Sequence, residues 1–219
     1  MSNIRVTAFK WVPPFAQGLV RDLRVRWALE EAGLPYEEKL LDHGEQNSPE
    51  HRAVQPFGQV PVYEEDGLTL FESGSIVMHI AEKSPVLMPV EPHARARVRT
   101  WMFAALNSVE PAMLTLSALD TFFAKEEWAR LRKPSALTMA QSKLNGLAAG
   151  LGEREFLERN FSAADVLMTS VLRFVKHTTL VSDMPALAAY QARCEARPAF
   201  KRALAAQLAP FAKYAPVAA

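Results

Sequence analysis

Between Ser84 and Pro92 three prolines fall within eight residues, and the chain changes character across them. Proline fixes its own backbone, donates no N–H and ends the helix it enters. Such a stretch reads as a stiff connector. Residues 1–83 hold 8 Lys+Arg against 13 Asp+Glu, a net of −5, and 6 of the 9 glycines. Residues 84–219 hold 17 against 11, a net of +6. Strands and turns use glycine more than helix bundles do. The chain is therefore read as two domains, 1–83 and 93–219, joined by a linker at 84–92. A length of 219 residues accommodates both. A hydrophobic share of 49% against 22% charged supplies real cores and argues against disorder.

The first part alternates strand and helix. Ile4 to Phe9 reads as a strand and Arg21 to Ala32 as a helix. In that helix Leu23 and Trp27 stand four apart, as do Val25 and Leu29, and Gly33 closes it. Tyr36 to Leu41 follows as a strand, so the first two strands run parallel through a crossover. Val60 to Tyr63 and Leu68 to Phe71 flank Glu64-Glu65-Asp66-Gly67, a hairpin. Ser73 to Lys83 is a helix with an Ile76, Val77 and Ile80 stripe. The second part carries no strand signal. Helices are expected at about 93–118, 120–132, 135–151, 162–177 and 186–209. Pro111 interrupts the first, and Pro198 breaks or restarts the last. Ser162 and Asp165 form a capping box.

A net charge of +1 argues against nucleic acid as the main partner, since phosphate binding needs a basic excess. No apolar run approaches the ~18 residues of a membrane span, so no membrane partner is expected. The single Cys194 excludes an internal disulfide and any cysteine-only metal cluster. The N-terminus lacks the basic-then-apolar form of a signal peptide, and a cytoplasmic location is expected.

Five segments occur in an order that points further. They are Leu23 to Glu37, Pro56-Phe57-Gly58-Gln59-Val60-Pro61, Leu70-Phe71-Glu72-Ser73-Gly74-Ser75-Ile76, Phe161-Ser162-Ala163-Ala164-Asp165, and Ala196-Arg197-Pro198-Ala199-Phe200. Together they resemble the cytosolic glutathione transferase superfamily. That resemblance implies a thioredoxin-like N-terminal domain (α/β) followed by an all-helical C-terminal domain (all-α). It also implies glutathione as co-substrate and no metal.

Glutathione carries two carboxylates, an amine and a thiol. In proteins of this kind the Val60-Pro61 bond is cis, which turns the Val60 backbone outward to pair with the ligand as an added strand. On residues alone, Pro61 equally suits the start of an edge strand. The resemblance assigns the γ-glutamyl carboxylate to Ser73 and places Glu72 near the ligand's amine. A strand-to-helix junction supplies free N–H groups for an anion, though Ser73 also suits a plain N-cap. Gln59 neighbours the ligand by position. For the glycyl carboxylate the candidates are His43, Gln46, Asn47 and His51, in a loop between elements where a histidine is more often simply solvated.

The group that activates the thiol is usually Tyr, Ser or Cys near the first helix. Residues 8–35 contain no Ser, Thr, Tyr or Cys, and the corresponding column falls near Leu19-Val20. Lowering a thiol from ~8.5 to ~6.5 requires about 2.7 kcal/mol. One charge-assisted hydrogen bond supplies about 1.5–3 kcal/mol. Arg21, or free N–H groups at that helix start, can supply this, although Arg21 equally suits a solvated surface position without a role. Trp11 and Phe15 line the electrophile pocket or anchor their loop. Trp101 borders the same pocket or packs in the bundle. The basic run at His93, Arg95, Arg97 and Arg99, set against the acidic first domain, fits a homodimer contact.

The resulting expectation is a detoxifying glutathione transferase. Its bound thiolate attacks a hydrophobic electrophile or reduces a hydroperoxide. The alternative is a non-catalytic glutathione-binding or regulatory module with the transferase fold.

Overall fold

The computed structural model describes residues 3–216. It divides into two compact units, Met1–Leu87 with Arg197–Ala219, and Met88–Ala196.

The first unit holds a four-stranded sheet in the order β2-β1-β3-β4. β1 (Ile4–Phe9) and β2 (Glu37–Leu41) pair in parallel, with Arg5 opposite Glu37 and Phe9 opposite Leu41. Between them runs α1 (Asp22–Ala32), ended by Gly33 at φ 67°. α2 (Pro49–Val54) follows β2. β3 (Tyr63–Glu65) pairs antiparallel with both β1 and β4 (Leu68–Leu70). Asp66 and Gly67 both take positive φ, 46° and 89°, at the tip of this hairpin. That is the twist a two-residue hairpin loop requires. α3 (Ser73–Ala81) closes the motif. The strand expected from Val60 starts only at Tyr63, because the chain at Val60-Pro61 pairs with no strand.

The expected apolar positions of α1 are all buried: Leu23, Val25, Trp27 and Leu29. So, unexpectedly, are Asp22, Arg24 and Arg26. α9 (Pro198–Lys213) explains part of this. It packs along α1, with Phe200 meeting Trp27 edge-on at 4.8 Å. Gln207 donates to Asp22 at 2.6 Å and to the Val20 carbonyl at 3.0 Å. Asp22 in turn takes the Arg26 Nε at 2.7 Å, and Arg26 reaches on to Glu38. Burial pushes the Asp22 carboxyl up, against the opposing pull of Arg26 and Gln207. Arg197 forks onto Glu31 at 2.6 and 2.7 Å. Helix period reveals which faces are buried, but not that charge is buried with them.

The regular elements of the second unit are all helices among its described residues. α4 (Pro92–Phe103) continues through a π-helical segment, Ala104–Val109, into α5 (Glu110–Thr121). Pro111 brings no N–H and crowds the preceding turn, and a widened turn just ahead relieves both. By length and composition Pro92–Thr121 passes for a membrane span, contrary to the sequence reading. Val98, Met113 and Leu116 along it are core residues of this unit.

α6 (Glu127–Leu151) corrects the expectation of separate helices ending at 132 and starting at 135. It runs straight through Pro134. Pro134 lies on the exposed face, so the carbonyl it leaves without an N–H partner is open to solvent rather than buried. The buried stripe Ala136, Ala140, Leu144, Leu147, Leu151 continues beyond it. α7 (Ala163–Leu172) starts at the expected box. Asp165 accepts from the N–H groups of Ser162 and Leu157 and from the Tyr190 hydroxyl. α8 (Pro185–Glu195) completes the unit. α9 then restarts at Pro198 and runs past the expected end at 209.

Two measurements test this framework. Asp22→Ala leaves the buried Arg26 guanidinium with Glu38 as its remaining carboxylate, and denaturant unfolding should show a loss of about 3 kcal/mol. Glu65 accepts from Tyr63 (2.9 Å), His79 (3.0 Å) and Lys83. Burial alone raises its pKa, but bonds from His79, Lys83 and Tyr63 outweigh burial and hold it down to about 2. An unfolded Glu titrates near ~4.3, so this stability is complete above that pH and disappears as pH falls through about 2. Glu65→Gln should lower Tm at pH 7, and the gap to wild type should close between pH ~4.3 and ~2.

Candidate functional site

The corner from Gln55 to Ile76 is built by restraint from below. Ser48 caps α2, its Oγ accepting from the His51 N–H at 3.2 Å. His51 is buried and its Nε2 lies 2.7 Å from the Gln59 carbonyl. A carbonyl only accepts, so Nε2 carries the hydrogen. Arg52 donates to the Pro56 carbonyl at 3.0 Å and to Asn47 Oδ1 at 2.8 Å. Gly58 sits beside that pair at φ 63°. A Cβ there would come within 2.9 Å of both Arg52 Nη2 and Asn47 Oδ1.

The Val60-Pro61 peptide is cis. Sheet pairing continues as far as the Val62 carbonyl, which accepts from Thr7 N–H at 2.9 Å. The Val60 N–H and C=O have no hydrogen-bond partner among the described residues. Its side chain is buried, with 8% of the residue exposed. An unpaired peptide on an immobilised backbone is a template for an added strand.

At the far end of the corner, Glu72 occupies the N-cap position of α3 at φ 68°, ψ 110°. Its side chain is exposed and makes no capping bond. A non-glycine residue held at positive φ is strained, and such strain clusters at binding sites. Ser73 is therefore the first residue inside the helix rather than its cap. It is 5% exposed, and its Oγ accepts from Arg24 Nη1 at 3.3 Å. The free N–H groups of this helix start form an anion-binding end.

The profile of the glutathione S-transferase N-terminal domain matches residues 15–82, which contain this whole corner. Glutathione S-transferase 4 of Zea mays is 29% identical over 227 aligned positions, covering 99% of this chain and 98% of its own. Glutathione S-transferase F10 of Arabidopsis thaliana is 29% identical, covering 79% and 86%. A glutathione transferase structure from Burkholderia graminis, with two glutathione molecules bound per subunit, superposes with a TM-score of 0.81 at 25% identity. It covers 92% of this chain and 87% of its own.

Residues 15–82 form a glutathione S-transferase N-terminal domain, and over its whole length the chain is similar to glutathione transferases.

As in those transferases, the first unit has a thioredoxin-like sheet. The remaining site expectations fall in several places. Gln59, exposed, flanks Val60, and Pro61 is buried. The loop assigned to the glycyl carboxylate is largely helical: Glu45–Asn47 is a 3₁₀ turn and His51 lies in α2. Gln46 accepts from the Gly44 N–H at 2.7 Å and Asn47 is bonded to Arg52, while His43 is exposed with its ring 6.3 Å from Phe9.

Arg21 stands at the N-cap of α1 in helical conformation. Trp11 is half-buried, and Phe15 lies exposed in a 3₁₀ turn, Pro14–Ala16. Trp101 is half-buried on α4, its ring against Gly150 so closely that a Cβ there would come within 2.7 Å. Cys194 is fully buried, and burial pushes its thiol up to about 12. Arg97 of the basic run forks onto Glu158 at 2.8 and 3.1 Å within its own unit.

The sequence reading missed Arg24 and the support given by His51. The Ser48-Pro49 pair, a cap followed by proline at a helix's first position, is the signal that would have found α2. His51→Phe should remove the hydrogen bond that holds the Gln59 carbonyl. A thermal melt should show a loss of about 0.5–1.5 kcal/mol, with weaker glutathione binding by calorimetry.

Proposed function

We propose that the protein is an active glutathione transferase whose tripeptide site is the corner just described. The observation that carries this reading is the unpaired Val60 peptide at one end of a rigid turn, with the α3 N-terminus at the other. Glutathione suits both ends. Its cysteinyl unit pairs with Val60, its γ-glutamyl carboxylate meets the N–H groups and hydroxyl at Ser73, and its amine lies near Glu72. Gln59 and Pro61 shape the wall beside it. His43 is left as the exposed candidate toward the glycyl carboxylate.

The thiol falls to the start of α1. No hydroxyl or thiol side chain exists between residues 8 and 35, so backbone N–H groups and Arg21 at that terminus stabilise the thiolate. Trp11 and Phe15 are assigned to the wall for a hydrophobic electrophile. In this reading residues 1–83 bind the tripeptide and 84–92 link; the helical domain starts at 93, and its last helix, α9, folds into the first unit. The protein works as a cytoplasmic homodimer in detoxification, without metal.

Ser73→Ala removes one donor to a charged group. Glutathione affinity by calorimetry should fall about tenfold to a hundredfold, with a parallel loss of retention on glutathione resin. Unchanged affinity takes Ser73 out of the site. Purified wild type should also conjugate glutathione to a halonitrobenzene or reduce cumene hydroperoxide. Tight binding without turnover on a panel of electrophiles overturns the catalytic part and leaves a binding module.

A further inference from the structure

Ser73 has a hydroxyl that its helix does not use. Glu72 is the residue at the N-cap, and Ser73 follows it inside the first turn. The hydroxyl meets Arg24 instead, 49 positions earlier in the chain, with Nη1 donating to Oγ at 3.3 Å. Arg24 is 2% exposed and lies on α1, which packs directly against α3.

Two features make this contact more than packing. A guanidinium donates only, so the serine must turn a lone pair toward it. A hydroxyl has one hydrogen, which is then directed away from α1 and is available to a second group. Burying an arginine is also costly, and an apolar side chain of similar volume would fill the space between two helices more cheaply. Arginine further differs from lysine in being a planar fork that keeps a fixed donor direction.

We infer that Arg24 is a positioning residue. It holds the Ser73 oxygen from behind, so that the hydroxyl donates its hydrogen to the carboxylate seated on the α3 N-terminus. This rests on the assignment of that helix end to the γ-glutamyl carboxylate. Arg24 does not touch the ligand; it acts through Ser73. Specificity for a γ-glutamyl peptide over a shorter thiol thus extends one layer into the protein.

The test is a double-mutant cycle on the full chain, read as glutathione affinity by calorimetry. Arg24→Gln is expected to weaken binding about tenfold in the parent protein. In a Ser73→Ala background the same change should alter affinity less than about twofold, because the group it positions is gone. Arg24→Lys, which keeps charge and lacks the fork, should lose a smaller, equally Ser73-dependent factor. It replaces the Gln variant if near-ultraviolet circular dichroism shows that variant unfolded. Cysteinylglycine, which has no γ-glutamyl carboxylate, should compete equally well for parent and Arg24 variants.

Effects of Arg24 and Ser73 that simply multiply overturn the inference, as does an equal loss for both thiols. Arg24 would then only brace α1 against α3. Parent protein that fails to bind glutathione overturns the site assignment itself, and this inference with it. Binding by the parent with uncoupled variants overturns this inference alone.

Discussion

A carboxylate and a guanidinium shut away from water govern the first unit. Asp22 and Arg26, four apart on α1, are both fully buried, and each charge depends on the other. Gln207 completes the carboxylate from α9, and Glu38 takes the remaining reach of the arginine from β2. Removing any one member leaves an uncompensated polar group in low dielectric. The pair therefore fixes α1 against the helix that ends the chain and the strand that follows it. Arg24 rides on this same clamped helix, and so does the Arg21 terminus.

With α1 fixed, the opposite side of the unit is shaped by short-range bonds. His51 holds the Gln59 carbonyl, Arg52 holds the Pro56 carbonyl, and Gly58 fits where no side chain would. Their combined effect is to leave the Val60 peptide unpaired on a backbone that cannot collapse onto it. Glu72, strained at positive φ, turns the chain from β4 into α3 so that the helix begins at Ser73. Preorganisation of this kind lowers the entropy a ligand must lose on binding.

The sequence disclosed the parts of this arrangement that depend on period and punctuation. The parallel β1–β2 pair, the Asp66-Gly67 hairpin, the α1 stripe and the Pro198 restart all follow from such signals. What it concealed depends on long-range partners. Asp22, Arg24 and Arg26 look like a solvated face until α9 and α3 supply Gln207 and Ser73. α2 is only six residues long, too short to show a period, and so His51 read as a loop residue. Pro134 looked like a stop because sequence does not state that its face is exposed. At the candidate site, Val60, Glu72 and Ser73 were legible as types at a strand–helix corner. The support beneath them was not.

Cys194 has a consequence of a different kind. It is the chain's only sulfhydryl, it is sealed in the helical unit, and its proton is held far above neutral pH. Attack on a disulfide proceeds through the thiolate, and this one is almost never formed or reached. A protein with this side chain does not enter mixed disulfides with oxidised small thiols in its surroundings. Its one thiol stays reduced while the redox state of the thiol pool swings around it.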